Sequence, residues 1–353
     1  MKGRLAFFVL AGLILVAPAA SGARRHLGMA GTLSGGMGPA WSFDGRQIAY
    51  LGPLNSHSRY PSAVIVMRRN GSQKRTILSV GRKPLGEVRF DRGKLIYSIE
   101  DSGILHSFDV VTRKASFLGT VDLPANPEEP FTVSRSSGAI AFESQCDCAY
   151  PASVIRIIVR PGSTHARALA RPTNASDEQP SFSPDGKGIV FARSLYTRPD
   201  RSAEGLPKLV VASVSGGSER SLGVEGDLPA WSPDGKWIAF ATPNASSQRA
   251  LAVVPASGGT PRVLLGKVTS LDSFSWAPNS KTLVYETRFG LGTVSLQGSI
   301  RAFRTPGVRP GYSTPQWSPD GTTIAFWGIF GRQGYDAGIY TIGLDGRGLR
   351  RIA

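Results

Sequence analysis

The chain is poor in the residues that most often carry chemistry. It has two cysteines and four histidines in 353 residues, whereas a structural zinc site alone needs four thiolate or imidazole ligands. His26, His57, His106 and His165 stand far apart, without ligand spacing. Cys146 and Cys148 flank Asp147. In an oxidising compartment they are candidates for a disulfide, but so small a ring would be strained and would add little stability. No Gly-x-Ser-x-Gly elbow occurs, so the strand-turn-helix nucleophile of the α/β-hydrolases is missing. Phosphate loops are missing too. Acids are the minority charge, 25 against 41 Lys and Arg, for a formal net charge of +16. The positives are scattered singly or in pairs such as Arg68-Arg69 and Arg350-Arg351. A solvated Arg-rich surface accounts for that pattern, and attraction to an anionic envelope polymer is the functional alternative. Without a basic-aromatic module, no nucleic-acid partner is expected.

Long apolar runs are also scarce. The longest, Leu5 to Ala17, has 13 residues, short of the ~20 that span a bilayer. It follows Lys2 and Arg4 and precedes the small residues Ser21-Gly22-Ala23, the layout of a secretory signal peptide. Cleavage is expected after Ala23, so residues 1–23 are read as the signal, and the protein as exported to the periplasm or beyond. Membrane contact is expected through that signal only.

What the chain does have is repetition. Trp231-Ser232-Pro233-Asp234-Gly235-Lys236-Trp237-Ile238-Ala239-Phe240 recurs in near-copies that start at Trp41, Phe182, Trp276 and Trp317, with eroded copies at Val88 and Val133. Seven residues after each anchor comes an aliphatic-aliphatic-aromatic triplet, with Ala allowed in the middle: Ile48-Ala49-Tyr50, Leu95-Ile96-Tyr97, Ile140-Ala141-Phe142 and so on to Ile324-Ala325-Phe326. Anchors lie 47, 45, 49, 49, 45 and 41 residues apart. A strand-rich period of this length marks a propeller of four-stranded blades. The fold expected is therefore all-β, a single seven-bladed β-propeller of four-stranded antiparallel blades over residues 39–353. Residues 24–38 are read as an N-terminal segment that would add a closing strand.

The fifth unit shows how a blade reads. Leu228 to Ser232 forms a short strand, Ser232-Pro233-Asp234-Gly235 a tight turn, Lys236 to Phe240 a second strand, Ala250 to Val254 a third and Pro261 to Leu265 a fourth. The recurring large residues Trp41, Phe182, Trp231, Trp276 and Trp317 are read as wedges between blades; truncating Trp231 should then cost roughly 3–5 kcal/mol. Asp44, Asp185, Asp234 and Asp320, with Asn279 in the sixth unit, are read as acceptors for backbone N–H groups of their own turns.

The Trp-Ser-Pro-Asp-Gly…Ile-Ala-Phe phrase resembles the TolB-type, WD40-like (PD40) β-propeller repeat family. Five units resemble it closely, and the resemblance covers residues 39–353. It implies the fold, and it leaves function to be argued from sites. TolB carries an α/β domain before its propeller. Here 15 residues separate the expected cleavage site from the first unit, so a propeller without that domain is expected.

One charge pattern stands out. Glu87, Glu128, Glu129, Asp177, Glu178, Glu225, Asp227 and Asp272, eight of the 25 acids, fall just before the innermost strand of their units. Ring closure would gather Glu87, Glu129, Glu178, Asp227 and Asp272 at one channel mouth. There they would accept a cation such as Ca²⁺, or a basic peptide, or simply cap loop N–H groups. The expected function is a monomeric, non-enzymatic interaction module of the cell envelope that binds an envelope or extracellular protein, or an anionic polymer. The alternatives are a channel hydrolase or lyase and a cation- or small-ligand-binding protein.

Overall fold

The computed structural model describes residues 38–52, 62–81, 85–99, 104–120, 131–145, 153–159, 166–169, 174–196, 205–242, 248–269, 271–287, 289–311, 314–331 and 336–353, all within the unit formed by residues 33–353. The signal peptide, the proposed closing strand, Glu128, Glu129 and the Cys146–Cys148 pair lie outside them.

Seven antiparallel sheets follow one another along the chain. Blade one is β1–β4 (Ala40–Trp41, Gln47–Gly52, Ala63–Arg68, Arg75–Ser79), and blade two is β5–β8 (Leu85–Asp91, Lys94–Ile99, Ile104–Asp109, Ala115–Thr120). Blade three is β9–β12 (Thr132–Val133, Ile140–Gln145, Ser153–Ile158, Arg167–Ala168), and blade four is β13–β16 (Ala175–Phe182, Gly188–Leu195, Lys208–Ser213, Glu219–Glu225). Blade five is β17–β20 (Asp227–Trp231, Trp237–Thr242, Gln248–Pro255, Arg262–Thr269), and blade six is β21–β24 (Leu271–Trp276, Thr282–Thr287, Gly290–Ser295, Ile300–Ala302). In the last blade the first strand is broken into β25 (Val308–Pro310) and β26 (Gln316–Trp317). Both pair with β27 (Thr323–Phe330), which β28 (Asp336–Gly343) and β29 (Arg350–Arg351) follow. Every blade pairs its strands in chain order, which makes the fold a seven-bladed β-propeller.

The triplet is explained by the packing. Strand side chains alternate between faces, and each face meets a different neighbour. Ile238 and Phe240 join a buried cluster with Val190, Ala192 and Leu209 of blade four, whereas Ala239 joins one with Leu271, Phe274 and Trp276 of blade six. In blade one, Ile48 and Tyr50 face blade seven, and Ala49 faces blade two. The outer triplet positions thus carry bulk toward the preceding blade, and the middle one, Ala in four blades and Ile96, Val190 or Val284 in the other three, packs into the interface with the next blade. Seven such clusters fill the seven blade interfaces among the described residues. The cluster of Ile48, Tyr50 and Met67 with Ala325, Ile339 and Ile352 joins first blade to last.

One unit departs from the sequence register. Opposite Leu95 stands Phe90, not Val88, which pairs with Tyr97. Arg92 and Gly93, at φ 41° and 83°, make a two-residue hairpin whose positive φ values fit the strand twist, so the structural anchor of blade two moves by two residues.

The repeated turns are self-capped. Ser42, Ser183, Ser232 and Ser318 donate their hydroxyls to Asp44, Asp185, Asp234 and Asp320 over 2.5–2.7 Å. The same carboxylates accept the N–H two residues on at 3.0–3.1 Å. Gly45 has φ 67°, and a Cβ there would lie 3.3 Å from Pro319 of blade seven, so both backbone shape and the neighbouring turn demand glycine.

The seam between blades seven and one is made by side chains. The Trp41 indole N–H donates to the Gln316 carbonyl at 3.1 Å, and the Arg69 Nη1 donates to Asp320 at 2.8 Å while its guanidinium lies 5.7 Å from the Trp41 ring centroid. Hydrogen bonds from Ser318, Arg69 and Thr322 hold Asp320 well below the usual carboxylate range. A carboxylate depressed on folding contributes stability that is complete above its unfolded value near 4 and lost as pH falls through the folded value. Asp320→Asn is therefore expected to cost about 1 kcal/mol at neutral pH, and the difference from the unsubstituted protein should shrink by pH ~3. Urea unfolding at the two pH values checks this; a pH-independent difference would remove Asp320 as the cause.

Candidate functional site

Three of the Trp residues bridge blades in the same way. Trp41, Trp276 and Trp317 donate their indole N–H groups to carbonyls of the preceding blade's first strand, at Gln316, Ala230 and Ser275. Trp231 departs from this: its indole N–H returns to Gly235 of its own turn at 3.1 Å, and it stays half-buried. The full cost expected for truncating Trp231 therefore belongs to Trp276 and Trp317, 9% and 7% exposed.

Among the described residues, acids stand at the entry ends of the first strands of blades two, four, five and six. Four of the five proposed mouth residues are described; Glu129 is not. Glu178 and Asp227 take the same register in adjacent blades, opposite Ala192 and Ala241. Glu87 and Asp272 lie instead within bulges of their strands, at the register shifts Leu85/Val88 and Leu271/Ser273. A bulge leaves backbone groups outside the ladder. Here the neighbouring blade supplies partners. The Phe131 N–H of blade three donates to Glu87 Oε2 at 3.0 Å, the Gln179 N–H of blade four donates to Glu143 of blade three, and the Leu228 N–H of blade five donates to the Gln179 side chain at 2.6 Å.

These links sort the acids. Glu87 is buried and ion-paired with Arg89; burial outweighs that cation and pushes its pKa up. Asp177 is 1% exposed and is gripped by the Arg193 Nε and Nη2 at 2.6 and 2.8 Å, while Nη1 of the same side chain reaches Glu219 at 2.7 Å. Burial raises the pKa of Asp177 as well, and the two carboxylates raise that of Arg193. Asp227 pairs with Arg249. Glu178 accepts from Ser176 Oγ at 3.1 Å; burial first, then Asp227 and Asp177, push its pKa up. Among the described residues no cation lies within ion-pair distance of Glu178.

Two buried acids carry no such signal in the repeat alignment. Glu143 and Glu286, 6% and 1% exposed, follow directly on the triplets of blades three and six, a position filled by Leu51, Ser98, Ala192, Ala241 and Trp327 elsewhere. A charged residue inside an otherwise apolar strand was the one available clue. Among the described residues no group of three or more His, Cys, Asp and Glu side chains is placed to hold a metal ion.

A second channel feature lies at the opposite end, where the first strands run into their turns. A cavity of about 190 Å³ is lined there by residues of blades one, two, three and seven, including Trp41, Phe43, Arg89, Arg135 and Trp317.

The fold is that of the TolB-type propellers. No protein-family model and no curated protein sequence matches the chain. Among solved structures it is similar to TolB from Acinetobacter baumannii, at 17% identity and a TM-score of 0.52, over 86% of this chain and 63% of that one. It is also similar to a Mycobacterium tuberculosis puromycin-hydrolyzing peptidase, at 14% identity and a TM-score of 0.63, over 89% of this chain and 52% of that one. A Kuenenia stuttgartiensis hydrazine synthase chain gives 14% identity and a TM-score of 0.60, over 88% and 98%. The chain thus spans under two thirds of the TolB protein and about half of the peptidase, and at these identities the likeness is one of fold.

Proposed function

We propose that the chain is an exported, monomeric, non-enzymatic interaction module of the cell envelope, and that it takes a basic segment of a partner protein at the acidic end of the channel. The observation that carries this is the charge left over between blades four and five. Asp177, Glu178, Glu219 and Asp227 are four carboxylates in contact or in mutual electrostatic reach, and Arg193 and Arg249 are the two guanidiniums paired with them. A negative site in a protein of net charge +16 selects a cationic ligand and orients its approach. Glu178, next to two other acids and held only by a serine among the described residues, is where a lysine or arginine would relieve the repulsion. The basic exterior keeps the module near anionic envelope polymers, and the TolB-type fold is compatible with such service.

Calorimetric titration of residues 24–353 with a Lys/Arg-rich peptide and, separately, with Ca²⁺ tests the proposal. Peptide binding that weakens with salt and falls about tenfold in Glu178→Gln and Asp227→Asn is expected, since each pairing of this kind is worth on the order of 1–2 kcal/mol. Peptide heats that are null, or unchanged in both variants, would exclude the mouth. Heat with Ca²⁺ alone would replace the peptide by a metal ion.

A further inference from the structure

The cavity at the turn end of the channel has a composition opposite to that of the mouth. Its lining includes two guanidiniums, Arg89 and Arg135, the aromatic side chains Trp41, Phe43, Phe90 and Trp317, and no carboxylate among the described residues. Arg89 is already spent, because it pairs with Glu87 and donates to the Val88 carbonyl at 3.2 Å. Arg135 has no such partner. Its guanidinium lies 5.8 Å from the Phe43 ring centroid, and no acid among the described residues stands within ion-pair distance. The surrounding protein crowds it enough to lower its pKa, yet the side chain reaches solvent. A guanidinium stays charged at any accessible pH, so the chamber presents one uncompensated cation at the edge of an aromatic box. The Phe43 ring is itself 41% exposed, an apolar surface left open beside that charge.

We infer that this chamber binds a small aryl carboxylate, its carboxylate on the Arg135 fork and its ring among Trp41, Phe43 and Trp317. Arg presents paired donors that match a carboxylate, and aromatic side chains favour stacked or edge-to-face rings. Size fixes the scale. A cavity near 150 Å³ holds benzene, so about 190 Å³ holds one ring plus a carboxylate, well below the ~300 Å³ where pockets for drug-sized ligands begin. The acidic mouth lies toward the other end of the first strands, and the two features share one link, Arg89, which lines this chamber and pairs with Glu87.

Two of the lining residues are Trp, so binding is read from intrinsic fluorescence of residues 24–353, with benzoate as the probe and calorimetry as a check. Benzamide serves as the neutral isostere, acetate as the carboxylate without a ring, and inorganic phosphate as the bare anion. Saturable benzoate binding is expected, at least about tenfold tighter than benzamide or acetate. Arg135→Gln should lose that margin for benzoate with an unchanged melting temperature, and leave benzamide as it was. Equal affinities for benzoate and benzamide in the unsubstituted protein would overturn the proposal without recourse to any variant. Phosphate binding as tightly as benzoate would overturn the aromatic part, and a benzoate affinity untouched by Arg135→Gln would overturn the assignment to Arg135.

Discussion

Arg193→Met is expected to destabilise the protein by about 3–5 kcal/mol at neutral pH, the usual cost of stripping one partner from a buried ion pair. Arg193 is the only cation paired with Asp177 among the described residues, and the side-chain exposures of the two are 17% and 2%. Removing the guanidinium leaves a buried carboxylate whose pKa is already raised by burial. The variant's Asp177 would then ionise only at the expense of the fold. An acid whose folded pKa lies above its unfolded value near 4 weakens the fold as pH rises through the window between the two values. The penalty should therefore shrink as pH is lowered from 7 toward the unfolded carboxyl value near 4, as the buried carboxyl regains its proton. Asp177→Leu combined with Arg193→Met should recover most of the loss, since buried pairs replaced by apolar residues are often neutral. Urea denaturation of the single and double variants at both ends of that pH range completes the cycle. A double variant no more stable than Arg193→Met would show that the guanidinium acts through packing alone.

Phe240→Ala should cost a similar amount, about 3–5 kcal/mol. The ring is 1% exposed and sits among Val190, Ala192, Leu209 and Val224 of the preceding blade. The backbone has been shaped around it: a Cβ on Gly226 would stand 2.5 Å from the ring and 2.7 Å from the Ala241 carbonyl. Val263 on β20 of the same blade is 58% exposed, so Val263→Ala should stay within about 0.5 kcal/mol. The pair separates interface packing from general sensitivity of the blade. A loss below about 1.5 kcal/mol for Phe240→Ala would mean that the interface closes over the cavity instead of keeping it.

The blades were legible because burial on two faces of a strand imposes a period of two, and because Ser, Asp and Gly are needed together to close a self-capped turn. Both constraints are local, and both repeat. Where the local solution changed, the alignment slipped: the Arg92-Gly93 hairpin satisfies the same geometry as the longer turns with fewer residues, and Val88 was taken for Phe90. The broken first strand of blade seven was not foreseen either. Pro315 has no N–H to give a ladder, but Pro also stands in the first strands of blades four and five at Pro180 and Pro229, where a bulge absorbs it. At the mouth, the acids could be read and their fates could not. Arg193 lies 16 residues beyond Asp177, and Arg249 lies 22 beyond Asp227; the first is brought back by the adjacent strand β14, the second by β19, one strand further out in the same blade. The cation at the turn end, Arg135, sits in one of the two eroded repeats, at the position that Pro holds in four of the five close copies.

Because every sheet is built from one continuous stretch of chain, each blade can form its hydrogen bonds as soon as that stretch has emerged, without waiting for the far end. Contacts so local favour fast formation, and units that complete in order of appearance suit a polypeptide delivered from one end. The seventh interface alone must wait, since Ile48, Tyr50 and Met67 meet Ala325, Ile339 and Ile352 only after the last blade is in place. Until then the apolar flank of the first blade stands open, and the final seal is a search by preformed surfaces, limited by how long that flank escapes other sticky chains.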